Sequence, residues 1–166
     1  MTLPPDAILP TDRRSARAST VLLLAAVALN TFLNTFGGTW SCTPHLPAVA
    51  SAPVSTWRIE ADPHSSWTIV RWSSRGYHST GFVGYIAPDA QWTFEDFRSD
   101  GSFSSNTSSG PQNGIWTWTG TFTSPERVQH VAIQWRRTKT GFRQGFGRML
   151  GPSFRETSSA ECRPAR

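Results

Sequence analysis

"LNTFLNTFGGTWSCT", residues 29–43, decides the fold. Leu29, Phe32, Leu33 and Phe36 fall at i, i+3, i+4 and i+7, the spacing of one face of a short helix. Gly37 and Gly38 stop that helix. Trp40 and Cys42 follow on a stretch that reads as extended. A helix of two turns does not hold by itself in water. It needs an apolar surface to cover, such as the open end of a barrel. The stretch therefore reads as a plug followed by a first strand.

Downstream the pattern is strand, turn, strand. After a Pro- and Ala-rich loop over residues 44–53, strands are expected over 55–61, 67–73, 81–87, 91–97, 102–108, 115–122, 128–137, 141–150 and 153–160. Between them stand turn signals such as Asp62-Pro63, Ser99-Asp100-Gly101, Asn113-Gly114 and Gly151-Pro152. No long helical pattern interrupts them. Short strands with tight turns predict an all-β fold, an up-and-down antiparallel barrel of about eight to ten strands with a short N-terminal helix closing one end.

Closure of such a meander sets the first strand beside the last. Those two strands hold the only two cysteines, Cys42 and Cys162. A bridge between them would close a loop of about 120 residues, worth up to ~4–5 kcal/mol in the chain-entropy model. The alternative is two separate thiols.

Upstream of the plug the chain reads as an export signal. Arg13, Arg14 and Arg17 form a basic region, and Val21 to Ala28 a short apolar run. The run falls short of the ~20 apolar residues of a membrane span. Cleavage after Ala28 would start the mature chain at Leu29 and leave a barrel domain over residues 29–166. Cleavage after Ala50 would remove Cys42 and strand Cys162 without a partner, which an exported protein tolerates poorly. The first site is therefore preferred, with an uncleaved membrane anchor or a disordered tail as the alternatives. The expected location is periplasmic or secreted, where a disulfide persists.

With 166 residues the chain has room for one domain. Its formal charge is +5, and +4 once residues 1–28, with three Arg and two Asp, are removed. That balance permits weak contact with an anionic envelope surface. Arg136, Arg137 and Lys139, with Arg143 and Arg148, form a basic stretch interleaved with Trp135, Phe142 and Phe146. The pattern suits a single-stranded nucleic-acid platform, but an exported protein has little access to nucleic acid, so none is expected as a partner.

On these residues the chain resembles the calycin superfamily of lipocalins, fatty-acid-binding proteins and nitrobindins. Gly38-Thr39-Trp40 matches the lipocalin first-strand motif, which there follows a short helix. A nearer resemblance is to an uncharacterised bacterial family of exported calycin-like domains. Asp100-Gly101, Gly114, Trp116-Thr117-Trp118, Gly120 and Cys162-Arg163 stand in the places of its motifs. The resemblance spans residues 29–164. The lipocalin Thr-Asp-Tyr motif and the nitrobindin Gly-x-Trp-x-Gly-x-Gly are missing, so haem binding is not implied.

Alternation along strands sorts side chains onto two faces. Trp116, Trp118, Gly120 and Phe122 share one face, Trp92 and Phe94 another. Phe142, Gln144, Phe146 and Arg148 share a third. Val131, Ile133 and Trp135 oppose His130, Gln134 and Arg136. An aromatic-lined barrel suits a small apolar or aromatic ligand. The candidate ligand-binding residues are Trp92, Phe94, Trp116, Trp118, His130, Arg136, Phe146 and Arg148. Arg136 or Arg148, if inward, would pair with a ligand carboxylate. The alternative is that the aromatics fill the barrel and leave no cavity.

His45, His64, His78 and His130 show no metal-ligand spacing, so no metal and no cofactor are expected. Glu95 and Asp96 are adjacent and point to opposite faces, which excludes a paired-carboxylate site between them. No Ser lies in a Gly-x-Ser-x-Gly turn. No catalytic residue is assigned. The expected role is non-enzymatic ligand binding. The alternatives are a structural or protein-interaction domain of the cell envelope with a filled barrel and, third, a calycin-fold enzyme.

Overall fold

A computed structural model describes residues 31–46 and 52–166. Both proposed cleavage sites and Leu29 lie outside the described residues. A short helix, α1, occupies residues 31–36. Eleven strands follow: β1 (Gly38–His45), β2 (Ser55–Ala61), β3 (Thr68–Ser74), β4 (Tyr77–Ile86), β5 (Gln91–Arg98), β6 (Phe103–Ser108), β7 (Pro111–Gln112), β8 (Ile115–Thr123), β9 (Val128–Thr138), β10 (Gly141–Leu150) and β11 (Ser153–Pro164).

Ten of these make a closed, up-and-down antiparallel barrel. The order runs β6-β5-β4-β3-β2-β1-β11-β10-β9-β8, and β8 pairs back onto β6. The two-residue β7 pairs only with β8, on the same edge as β6, and continues that edge from Thr119 to Trp116 and Ile115 toward the opposite end of the barrel. Asn113 and Gly114 turn between them with φ of 52° and 76°, the left-handed pair that favours Asn-Gly in tight hairpins.

First and last strands meet as expected. Cys42 stands opposite Cys162 in the β1–β11 ladder, and the two form a disulfide with Cα atoms 4.0 Å apart. Three strand readings change at their ends, and the last of them, β11, runs past residue 160 to Pro164 because Glu161 to Pro164 pair with Thr43 to Trp40. β4 starts at Tyr77 instead of residue 81, because His78, Ser79 and Thr80 pair with Ser73, Trp72 and Arg71. β1 runs on through Pro44 into the expected loop, paired with Ala160.

Antiparallel order gives the barrel two ends. Strands β1, β3, β5, β8 and β10 finish at one end, called the mouth here. Helix α1 covers the other. The amphipathic reading of α1 holds where it is described: Phe32 and Phe36 are fully buried and Leu33 packs against the core. The Gly37 N–H donates to Leu33 O at 2.7 Å, and a Cβ on Gly37 would lie 2.6 Å from that same oxygen. A glycine therefore ends the helix here. Trp40 Nε1 donates to Phe36 O at 2.8 Å and ties the helix end to β1.

Candidate functional site

The helix-side half of the barrel is filled. Phe32 enters it and meets four tryptophans: Trp92, Trp116, Trp118 and Trp135, at ring-centroid distances of 6.3, 5.1, 6.1 and 5.7 Å. Phe94 packs on Trp118 and Trp135. Most of these rings meet tilted or edge-to-face, the arrangement aromatic quadrupoles favour. Trp92, Phe94, Trp116 and Trp118 do face inward, as alternation indicates. They enclose the Phe32 ring, however, and are at most 4% exposed. Their expected role as walls of a cavity is corrected to that of a packed core. Parity along a strand gives direction; it does not reveal what occupies the space.

Toward the mouth the inward side chains turn polar. Asp96 is buried, and its carboxylate accepts from Arg98 Nε at 2.8 Å. Arg98 also stacks over Phe122, 4.7 Å from the ring centre. Ser104 flanks Asp96 in the next strand, and Ser79 flanks Arg98. Ser79 and Ser104 hydroxyls are buried without a hydrogen-bond partner. A polar layer therefore lies between the aromatic core and the open end.

Above that layer is a pocket of about 380 Å³. Trp57, Trp72 and Phe146 supply its aromatic walls, with Arg98 and Gln144 as polar groups and Pro44 at the edge. Trp57 and Trp72 stack with ring planes 15° apart and centroids 6.1 Å apart. Trp57 Nε1 donates to Ser55 Oγ at 3.1 Å, which fixes its ring. An aromatic cleft with a few convergent polar groups is the usual form of a small-molecule site.

A second cleft, of about 720 Å³, opens in the wall. The β9–β10 ladder ends at Ala132 opposite Gly147. Beyond that point β9 stays with β8 and β10 stays with β11, so the strands splay apart. His130, Phe146 and Arg148 line the gap. These three candidate residues are brought together, and Phe146 also lines the mouth pocket.

Arg136 is placed elsewhere. Val131, Ile133 and Trp135 are buried, so by parity His130, Gln134 and Arg136 face outward. Arg136 borders a separate cleft of about 320 Å³ with Arg143, Phe154 and Glu156. Its role as an inward anchor is corrected on that ground.

The basic stretch also divides. Arg148 lies near the mouth, five residues along β10 from Arg143, roughly 17 Å of strand. Arg143 is occupied by Glu156 at 2.6 and 2.7 Å and by Glu161 at 3.0 Å. The hydrogen bonds that Arg143 donates to Glu156 hold the guanidinium pKa above its ordinary value. Arg137 stacks over Trp40.

The alternation missed Arg98 and Trp72. Asp96-Phe97-Arg98 carried the signal: two charges two residues apart must share a face, and that face continues Trp92 and Phe94. Among the described residues, no three His, Cys, Asp or Glu side chains gather as metal ligands. No helix there is long and apolar enough to cross a membrane.

No protein-family model matches the chain, and no curated protein sequence matches it.

Proposed function

We propose that this protein is an exported, calycin-like barrel that binds one small apolar or aromatic molecule at its open end, without catalysis. The observation that carries this reading is the mouth pocket, where stacked Trp57 and Trp72 and the Phe146 ring stand beside Arg98 and Gln144. The aromatic walls supply contact area, and the polar groups orient a ligand. The Arg98 guanidinium favours a ligand with a carboxylate or a similar acceptor. Export is supported by the basic and apolar N-terminal stretch and by the Cys42–Cys162 bond, which suits an oxidising compartment. Calycin-like identity is supported by the closed meander, the helix plug and Gly38-Thr39-Trp40 at the start of β1.

Titration with an anilinonaphthalene sulfonate and with uncharged aromatic probes tests this reading. A single saturable site with a change in Trp emission is expected. Trp72→Ala should weaken all of the probes, and Arg98→Gln should weaken the anionic one more, because a carboxylate or sulfonate left unpaired in an apolar site is costly. Absence of binding across both probe classes by the folded protein defeats the proposal.

A second reading is favoured by the filled helix-side half: a structural or protein-interaction domain of the cell envelope. It gains if the probes fail to bind while the barrel stays intact.

A further inference from the structure

The exposed apolar side chains are not scattered. Among the described residues, Leu46, Val54, Phe97, Phe103, Val128 and Leu150 are between 39% and 67% exposed, and all sit at mouth-side strand ends. Ile86 is the one large exposed hydrophobic at the helix-covered end among the described residues. Phe97 and Phe103 stand opposite one another and stack at 6.4 Å. Phe103 then pairs with Thr123, and Thr123 with Val128, so one outer row crosses four strands of the rim. The other three lie on β10 and at the β1 and β2 ends, which carries the apolar positions to the far side of the rim and leaves β3, β4 and β11 without one.

Arginines accompany them. Arg75, Arg127, Arg148 and Arg155 are exposed at the same end, against the exposed carboxylates Asp100 and Glu126 and, beside Arg155, Glu156, which Arg143 pairs. The rim thus combines an apolar ring with an excess of positive charge.

We propose that the open rim of this barrel docks onto an anionic phospholipid surface, with the apolar side chains seated at headgroup depth and the arginines against phosphates. The ring shape selects the partner. Side chains on separate strand ends share one end of the closed wall, and an extended bilayer surface can reach neighbours and non-neighbours among them together. A groove on another protein would engage only neighbours. Burial of apolar area and attraction to anionic lipid act together in interfacial binding. Arg136, Arg137 and Lys139 offer charge at the opposite end, but without an apolar ring. The docking does not depend on what the mouth holds.

Flotation of the full-length protein with vesicles tests this, using phosphatidylcholine alone and phosphatidylcholine mixed with phosphatidylglycerol. Binding is expected on the anionic vesicles and should weaken with salt. The F97S/F103S pair should weaken it about tenfold or more, while R136Q/R137Q/K139Q should leave it within about twofold. If loss of near-UV circular dichroism shows that F97S/F103S misfolds, V128S/L150S carries the same expectation. Undiminished binding by the folded rim variants overturns the proposal, since attachment then runs through another part such as the Val21–Ala28 run. Failure of the wild type to float with anionic vesicles overturns it too.

Discussion

The indole N–H of Trp40 donates to the carbonyl oxygen of Phe36 across 2.8 Å, inside the protein. One residue belongs to the first strand and the other ends the plug helix. The bond satisfies a terminal helix carbonyl that has no partner within the helix. It also fixes the angle at which α1 enters the barrel, with Phe36 edge-on to Trp135 and Phe142.

Trp40→Phe should keep most of the ring packing and remove only the donor. A buried carbonyl left unpaired costs about 1–3 kcal/mol. The expected result is a lower urea midpoint with little change in the slope. Faster hydrogen exchange should appear first in residues 31–37.

Phe32→Ala should cost about 3–5 kcal/mol, the range for a buried aromatic. The ring it removes stands against four tryptophans, and a closed barrel wall has little freedom to collapse into the space. The vacated volume would be apolar. A folded Phe32→Ala protein should then gain affinity for benzene or indole, read as a rise in thermal midpoint with ligand. Wild-type protein, with its helix-side half filled, should show a smaller rise.

The Cys42–Cys162 bond closes 120 residues. Reduction, or the C42S/C162S pair, should destabilise the protein by ~4–5 kcal/mol in the chain-entropy model. Comparison of urea unfolding with and without reductant measures it. The native spectrum should survive in the absence of denaturant if the packed core suffices to hold the fold.

Asp100 makes the β5–β6 turn sensitive to acid. Its carboxylate accepts from the Ser102 hydroxyl at 2.6 Å and the Ser102 N–H at 2.9 Å, with Tyr77 adding a third bond. These bonds, Ser102 first, hold its pKa below the ordinary value. The support is complete above the unfolded carboxylate pKa and is lost as pH falls through the folded one. Asp100→Asn should therefore be less stable than wild type at neutral pH, and the gap should close in strong acid. Chemical denaturation at the two conditions checks this.

Much of this fold was legible because barrel construction leaves local marks. Strict alternation in Ile115–Phe122 gave the face of every residue there, and Asn113-Gly114 marked the turn before it, though not the short β7 that the turn pairs with β8. The i, i+3, i+4, i+7 spacing around Phe32 revealed the helix. Other features depend on relations between distant strands. Nothing near Phe32 tells how deep its ring reaches, so the aromatic faces looked like cavity walls. Trp57 and Trp72 are fifteen residues apart, and only the β2–β3 register stacks them. The splay of β9 from β10 follows from each strand keeping its other neighbour, a choice that no short window of sequence contains.

The backbone N–H of Ala165 donates to Thr39 O at 3.0 Å, and Pro164 stands opposite Trp40. Seen this way the wall is a ring whose seam happens to fall between β11 and β1. Joining Arg166 to α1 and opening the chain at the Gly101 turn would move the seam without altering a single strand pairing. The cysteines would then be separated by about 15 residues of chain, and the same bond would restrain the unfolded state by roughly 1–2 kcal/mol less. The permuted protein would keep its architecture and lose part of its resistance to unfolding. The disulfide's contribution thus comes from where the chain is cut as well as from the two sulfurs.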